Sequence, residues 1–342
     1  MMLLASCSNQ QHPFTLLDNK IAGVDFVNTL TYTEDINAYL FRGFYNGAGV
    51  ALADLNNDGY PDLFLCGNQV QNKLYLGDGK FHFTDITNQC GIAGAPSWTT
   101  GVSIVDINQD GWKDIYVCKS GPLNGANRRN QLFINKGVDS NGNISFIDSA
   151  AQYGIDDLGL SIQAVFFDYD KDGDLDMYLS SNSPQQSDIV FTADKDMRNR
   201  KGGGSKLYKN INHHFVDVTE EAGIHNSPIG FGLGVAVGDI NRDGWPDLYV
   251  ANDFFEKDYL YINQKNGTFK EEIDDLTNEI SMGSMGVDIG DLNHDGYPEI
   301  FVTEMLPEEE DRLKTKAIFD NWDQYQLKVK NGYHRQFPRN TL

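Results

Sequence analysis

A chain of 342 residues with 40% hydrophobic and 12% aromatic content can bury a sizeable core and is too apolar for a solvated acidic tail. Its 49 acidic residues against 27 basic ones leave a net charge of −22, which repels a phosphate backbone and argues against a nucleic-acid partner. No run of about 18 apolar residues occurs to span a membrane, so the surplus carboxylates need another explanation, and a metal ion is the obvious candidate.

In chain order, the N-terminus Met1-Met2-Leu3-Leu4-Ala5-Ser6-Cys7 comes first. Its Leu-Ala-Ser-Cys end resembles the lipobox of bacterial lipoproteins, in which the cysteine is lipidated and becomes the first residue. That resemblance implies an exported chain that meets a membrane only through a lipid anchor at Cys7, at the outer membrane, cell surface or periplasm. A full signal also has a basic start and an apolar stretch of about 7–15 residues. Only Leu3 to Ala5 stand here, so residues 1–12 are read as a truncated signal and tether. Next, Phe14-Thr15-Leu16-Leu17 followed by Gly23-Val24 repeats the pattern of Phe83-Thr84-Asp85-Ile86 followed by Gly91-Ile92. It is expected to be a fourth strand arriving before the first repeat.

The repeat itself begins at Asp54 as DLNNDGYPD and returns as DINQDGWKD from Asp106, DYDKDGDLD from Asp168, DINRDGWPD from Asp239 and DLNHDGYPE from Asp291. An apolar, mostly Gly-rich stretch precedes each loop, and a short alternating run such as Leu63-Phe64-Leu65 or Leu248-Tyr249-Val250 follows it. A third run (Asn72 to Leu76, Asn130 to Ile134, Lys206 to Tyr208, Tyr259 to Ile262) and a fourth from Phe83, Phe146, Phe215 and Phe269 complete the first four units. Period-two runs rich in aromatic and β-branched residues are strands, and four antiparallel strands per unit is the composition of a propeller blade. The expected fold is therefore all-β, a β-propeller with blades at about 44–90, 97–150, 160–220, 231–276 and 283–342 and a loop between the first and second strands of each.

Oxygen-bearing side chains at alternate positions of a tight loop suit Ca²⁺, a hard cation that takes six to eight oxygens. The first site would use Asp54, Asn56, Asp58 and Asp62 with the carbonyl of Tyr60, and Gly59 would permit the sharp reversal. Its counterparts are Asp106, Asn108, Asp110, Trp112 and Asp114; Asp239, Asn241, Asp243, Trp245 and Asp247; and Asp291, Asn293, Asp295, Tyr297 and Glu299. The third set, Asp168, Asp170, Asp172, Asp174 and Asp176, has a carboxylate at every ligand side chain. A helical calcium hand is excluded, because its last ligand falls at position 12 and helices flank it. About five Ca²⁺ ions are expected, acting as structural staples.

Five loops in one frame, each set between matching strands, resemble the FG-GAP or VCBS repeats of integrin α-type propellers. They are similar above all to bacterial lipoproteins related to cartilage acidic protein. The resemblance covers the chain from about Phe14 onward. It implies a propeller that usually closes with seven blades, and often a further ASPIC/UnbV domain, here beyond Leu342. In the same frame Arg339-Asn340-Thr341-Leu342 matches Arg129-Asn130-Gln131-Leu132, so the chain is expected to stop as a third strand opens, leaving the propeller incomplete.

Cys66 and Cys118 fall at matching points of neighbouring units and are expected, with Cys90, to be buried free thiols. His213-His214 reads as a hairpin turn, and Gly202-Gly203-Gly204 lacks the Lys-Ser/Thr of a phosphate loop. Insertions at 182–205 and 306–338, the second with an amphipathic helix around Leu313 to Tyr325, are expected to carry the partner surface. The function expected is an exported binding or adhesion module for a protein or glycan. The alternative is a polysaccharide lyase or hydrolase on a propeller, although no acid/base pair stands apart from the loop carboxylates.

Overall fold

The computed structural model describes residues 14–121, 127–182, 203–253, 256–307, 309–316, 322–330 and 332–342. Four antiparallel sheets follow one another along the chain, each with its strands in sequence order. Blade 1 holds β1 (Val50–Ala53), β2 (Asp62–Leu65), β3 (Lys73–Gly77) and β4 (Phe83–Asp85). Blade 2 holds β5 (Thr99–Val105), β6 (Asp114–Lys119), β7 (Gln131–Val138) and β8 (Ile144–Asp148). Blade 3 holds β9 (Ser161–Phe167), β10 (Asp176–Ser181), β11 (Lys206–Ile211) and β12 (His214–Asp217), and blade 4 holds β13 (Gly232–Gly238), β14 (Asp247–Asn252), β15 (Tyr259–Asn263) and β16 (Phe269–Glu271). After β17 (Ile280–Ser281), the fifth unit pairs β18 (Ser284–Gly290) with β19 (Glu299–Glu304), and β20 (Gln336–Phe337) runs parallel to β17. The first strands β1, β5, β9, β13 and β18 lie side by side in that order, as the inner strands of propeller blades do.

The apolar side chains form layers between blades rather than one core, and strand periodicity is the reason. Successive residues on a strand point to opposite faces. Ile115 and Val117 of β6 therefore pack toward Phe64 and Leu74 of blade 1, whereas Tyr116 and Cys118 pack toward Met177 and Leu179 of blade 3. Likewise Leu248 and Val250 face Tyr178 and Leu207, and Tyr249 and Ala251 face Ile280 and Val302. A middle strand thus needs apolar side chains on both faces, which is why β6, β10 and β14 are buried along their whole length. Each such Leu, Ile or Val contributes about 1.5–3 kcal/mol of burial free energy.

Polar links cross the same interfaces. Asn135 Nδ2 of β7 donates to the Leu55 carbonyl of the preceding blade (2.8 Å), and Asn263 Nδ2 of β15 donates likewise to the Tyr169 carbonyl (2.8 Å) and to the Pro246 carbonyl (3.2 Å). Asn263→Ala would remove this donor from the buried Tyr169 carbonyl and the half-buried Pro246 carbonyl, at about 1–3 kcal/mol for an unsatisfied group. Its melting temperature should fall by a few °C, since domains of 150–250 residues shift by roughly 2–4 °C per kcal/mol and a chain of 342 residues by somewhat less. A variant that melts with the wild type would show that these side chains do not couple the blades.

At the end of the chain, Thr341 bridges Val302, the register that Gln131 and Val117 adopt in blade 2. Asn340 Oδ1 accepts from Glu304 N–H as Asn130 Oδ1 does from Lys119 N–H, both at 2.7 Å. The N-terminal expectation needs correcting. Phe14 to Leu17 forms no strand: it has no pairing neighbour among the described residues, and Phe14 and Leu16 are 88% and 99% exposed. What forms is the helical turn Asn19–Ala22, closed by left-handed Gly23 (φ 72°). A Cβ on Gly23 would stand 2.4 Å from the Phe83 carbonyl oxygen, and one on Gly91 would stand 2.4 Å from that of Phe146. Glycine is required at both places by the close approach of the next blade.

Cys66, Cys90 and Cys118 are buried and free, and burial pushes the Cys66 thiol up to about 12. Asn212 and His213 (φ 53° and 65°) form the two-residue turn between β11 and β12. Of the helix expected over Leu313 to Tyr325, the described residues show helix at Glu310–Lys316 and at Trp322–Lys330. Cys7, most of the 182–205 insertion and residues 317–321 lie outside the described residues. Among the described residues no helix is long and apolar enough to cross a membrane.

Candidate metal centres

The five acidic loops sit where the sequence placed them, between the first and second strands of their blades, and they share one hydrogen-bond plan. Counting the first aspartate as position 1, its carboxylate accepts from the N–H groups of positions 5 and 6, as Asp54 does from Asp58 and Gly59 (3.1 and 2.8 Å). Asp106, Asp168, Asp239 and Asp291 do the same. The position 5 carboxylate accepts from the N–H of position 7, which is Tyr60, Trp112, Asp174, Trp245 or Tyr297. Glycine at position 6 has φ between 85° and 96° in every loop, which a side chain would strain.

Position 9 ties each loop to its blade. Asp62 accepts from Leu55 N–H and Gly77 N–H, and Asp114, Asp176 and Asp247 accept from the equivalent pairs. These four carboxylates are fully buried. Burial first, and the neighbouring loop aspartates after it, push Asp62 and Asp114 up to about 6 and Asp176 up to about 7; Asp247 is raised as well. Glu299, one methylene longer, keeps the position 2 donor, Leu292 N–H, and takes Asn293 Nδ2 as its second.

In four loops the amide at position 3 bridges to position 5. Asn56, Asn108, Asn241 and Asn293 each donate Nδ2 to the position 5 carboxylate and accept its N–H on Oδ1. The third loop has Asp170 there, ion-paired with Lys209, and its Oδ1 is buried without a hydrogen-bond partner. Among the described residues, Asp168, Asp170 and Asp176 are the acidic group that brings one oxygen from each residue within 4.8 Å of the others. A donor set of oxygens alone, with clustered carboxylates and an uncommitted buried oxygen, fits a hard divalent cation. Six to eight ligands in flexible geometry suit Ca²⁺ better than Mg²⁺, which keeps its waters and an octahedron.

One set of residues escaped the sequence reading. Position 4 is left-handed in all five loops (φ 56–62°), and in the first four its side chain reaches the next loop. Asn57 Nδ2 donates to the Gly111 carbonyl (3.2 Å) and Gln109 Nε2 to the Gly173 carbonyl (3.0 Å). Lys171 lies over the Trp245 ring (4.8 Å) and Arg242 over the Tyr297 ring (4.3 Å). Consecutive loops are thereby linked, yet the linking residues share a backbone conformation rather than a chemistry. No residue pattern announces them.

The opposite ends of the strands enclose a cavity of about 490 Å³. First-strand residues Val50, Thr100, Ile162, Leu233 and Met285 line it, one from each unit, together with Ser120, Asn182 and Met305 just past second strands. Ser120 Oγ and Asn182 Oδ1 are buried there with no hydrogen-bond partner. Phe41 and Trp98 form one wall, edge to face at 4.9 Å. A second hollow lies over the late insertion, where Trp322, Tyr325 and Phe337 stack in series at 5.7 Å spacing beside Arg335 and Gln336.

The FG-GAP-like repeat model matches residues 54–117, 185–250 and 239–302. Human integrin alpha-7 is 37% identical over 127 residues, covering 34% of this chain and 10% of the integrin. Xenopus tropicalis cartilage acidic protein 1 is 26% identical over 213 residues, covering 61% of this chain and 29% of that protein. Among solved structures, an Agrocybe aegerita lectin that recognises non-reducing terminal N-acetylglucosamine gives a TM-score of 0.40 at 15% identity, over 75% of this chain and 60% of the lectin. The rhamnogalacturonan lyase YesW gives 0.38 at 13%, over 75% of this chain and 47% of the lyase. Scores this low carry no argument about a site.

Proposed function

This chain belongs to the FG-GAP-like repeat family, and on that premise we propose that it is an exported, calcium-stabilised propeller module that binds a protein or glycan through the face opposite its metal loops. One observation carries this reading: the two ends of the blades are chemically divided. The acidic loops gather at one end. At the other, a ring of first-strand residues surrounds a cavity with unpartnered Ser120 Oγ and Asn182 Oδ1. Buried polar atoms without partners are uncommon and suit a ligand that brings hydrogen-bonding groups. Asn182 and Met305 of this rim are also the residues at which the two insertions begin in sequence. Attachment through Cys7 belongs to the same proposal.

Asn182→Leu, and separately a Gly-Ser turn in place of residues 185–203, should weaken by at least tenfold whatever binding wild type shows on an array of purified envelope glycans and proteins. Asp58→Ala, at the far end of blade 1, should leave it unchanged in excess calcium. Equal affinity in all three would move the binding face elsewhere, and release of new sugar ends from a bound polysaccharide would favour the enzymatic alternative.

A further inference from the structure

The third loop departs from the others at two positions that meet. Asp170 replaces the position 3 amide, and Lys209 of β11 stands where β3, β7 and β15 carry Leu76, Ile134 and Ile262. The equivalence of these strand positions is structural: the next residue in each, Gly77, Asn135, Asn210 or Asn263, donates its N–H to the position 9 aspartate.

In the other loops the position 3 amide has two roles. Its Oδ1 accepts the position 5 N–H, and its Nδ2 donates to the position 5 carboxylate at 2.9–3.1 Å. An aspartate has no proton to donate and meets its neighbour with like charge. Lys209 supplies what is missing: its ammonium pairs with Asp170 Oδ2 and lies 3.3 Å from Asp172 Oδ2, between the two carboxylates that an amide would otherwise bridge. It also returns the formal charge of the ligand set to the three negative charges of the first loop. Lys265 touches the fourth loop, but from the more exposed hairpin and only at Asp243 (3.3 Å). With Asp170 Oδ2 held by the lysine, Oδ1 is left buried and unpartnered, on a carboxylate that brings one oxygen within 4.8 Å of one oxygen each of Asp168 and Asp176.

We propose that Lys209 is a positioning residue for the third cation site, fixing one oxygen of Asp170 so that the other faces the cation, and so allowing this loop a fourth carboxylate. The inference rests on the calcium reading of the loops. An ammonium bound between two carboxylates is a charge-assisted contact that fixes their geometry. Asp170 and Lys209 therefore form an exchangeable pair, equivalent to the Asn108 and Ile134 of blade 2.

The test is a cycle of Lys209→Ile, Asp170→Asn and the double variant, with Lys209→Arg as the conservative control. Calcium uptake is followed by calorimetry, and melting temperature with and without Ca²⁺. Lys209→Ile should lose one ion from the stoichiometry, or weaken one site at least tenfold, and shrink the calcium-dependent rise in melting temperature. The double variant, which recreates the pair of blade 2, should recover both, and Lys209→Arg should keep them. Unchanged or tighter uptake by Lys209→Ile would overturn the proposal, the latter by showing that the lysine competes with the metal. A double variant as weak as Lys209→Ile would overturn it too. No calcium uptake by the wild type would instead sink the calcium reading beneath it.

Discussion

Excess EGTA should lower the melting temperature of this protein by well over 10 °C, and added Ca²⁺ should restore it. A ligand that binds only the folded state at a hundred times its dissociation constant adds about 2.7 kcal/mol per site, or roughly 13 kcal/mol for five sites. Domains of 150–250 residues shift by roughly 2–4 °C per kcal/mol, and a chain of 342 residues by somewhat less. The effect reaches beyond each loop because position 9 bonds the loop to its own third strand, while Asn135 and Asn263 reach the loop of the blade before. Removing the cation leaves three or four carboxylates facing one another at a joint between blades. Asp58→Ala and Asp243→Ala should each remove one ion and a fraction of the effect. A melting curve that chelator leaves in place would end the account of the loops as staples.

The parts of this fold that the sequence discloses are those with strict local demands. Gly59 and its four counterparts must adopt positive φ, alternate oxygens must face one point, and β6, β10 and β14 must be apolar on both faces. Such demands write themselves into residue type at fixed spacing. The position 4 links do not: an amide reaching a carbonyl and a cation over a ring serve the same joint, so Asn57, Gln109, Lys171 and Arg242 look like unrelated surface residues. Lys209 was hidden differently, since its meaning depends on Asp170, thirty-nine residues earlier. Phe14 to Leu17 has the composition of an outer strand without a pairing neighbour, and composition alone did not make it one. The cavity wall was unreadable because Ser120 and Asn182 come from different blades and matter only through the partners they lack.

Without calcium, the protein should be more stable near pH 5 than near pH 8, the reverse of the usual carboxylate trend. The usual trend comes from ion-paired acids such as Asp157, which is desolvated but held below its ordinary value by the Lys206 ammonium. Stability from such groups is complete above the unfolded value and disappears only at acid pH below about 4. The position 9 aspartates act in the opposite sense. Asp62 and Asp114 are raised to about 6 and Asp176 to about 7, mainly by burial, against about 3.9 in an unfolded chain. The folded state holds these protons more tightly, so their stabilisation is full below about pH 4 and is lost as pH rises through 6 and 7. A two-unit rise corresponds to at most about 3 kcal/mol per group. In excess EDTA the melting temperature should therefore drop by at least about 5 °C between pH 5.5 and 8. Saturating Ca²⁺ should flatten or invert that slope, because the cation favours the ionised carboxylates, and calcium affinity should rise across the same interval. A chelated protein whose melting temperature stays level or climbs from pH 5.5 to 8 would mean that these aspartates are already ionised in the folded loops, held so by the backbone N–H groups they accept.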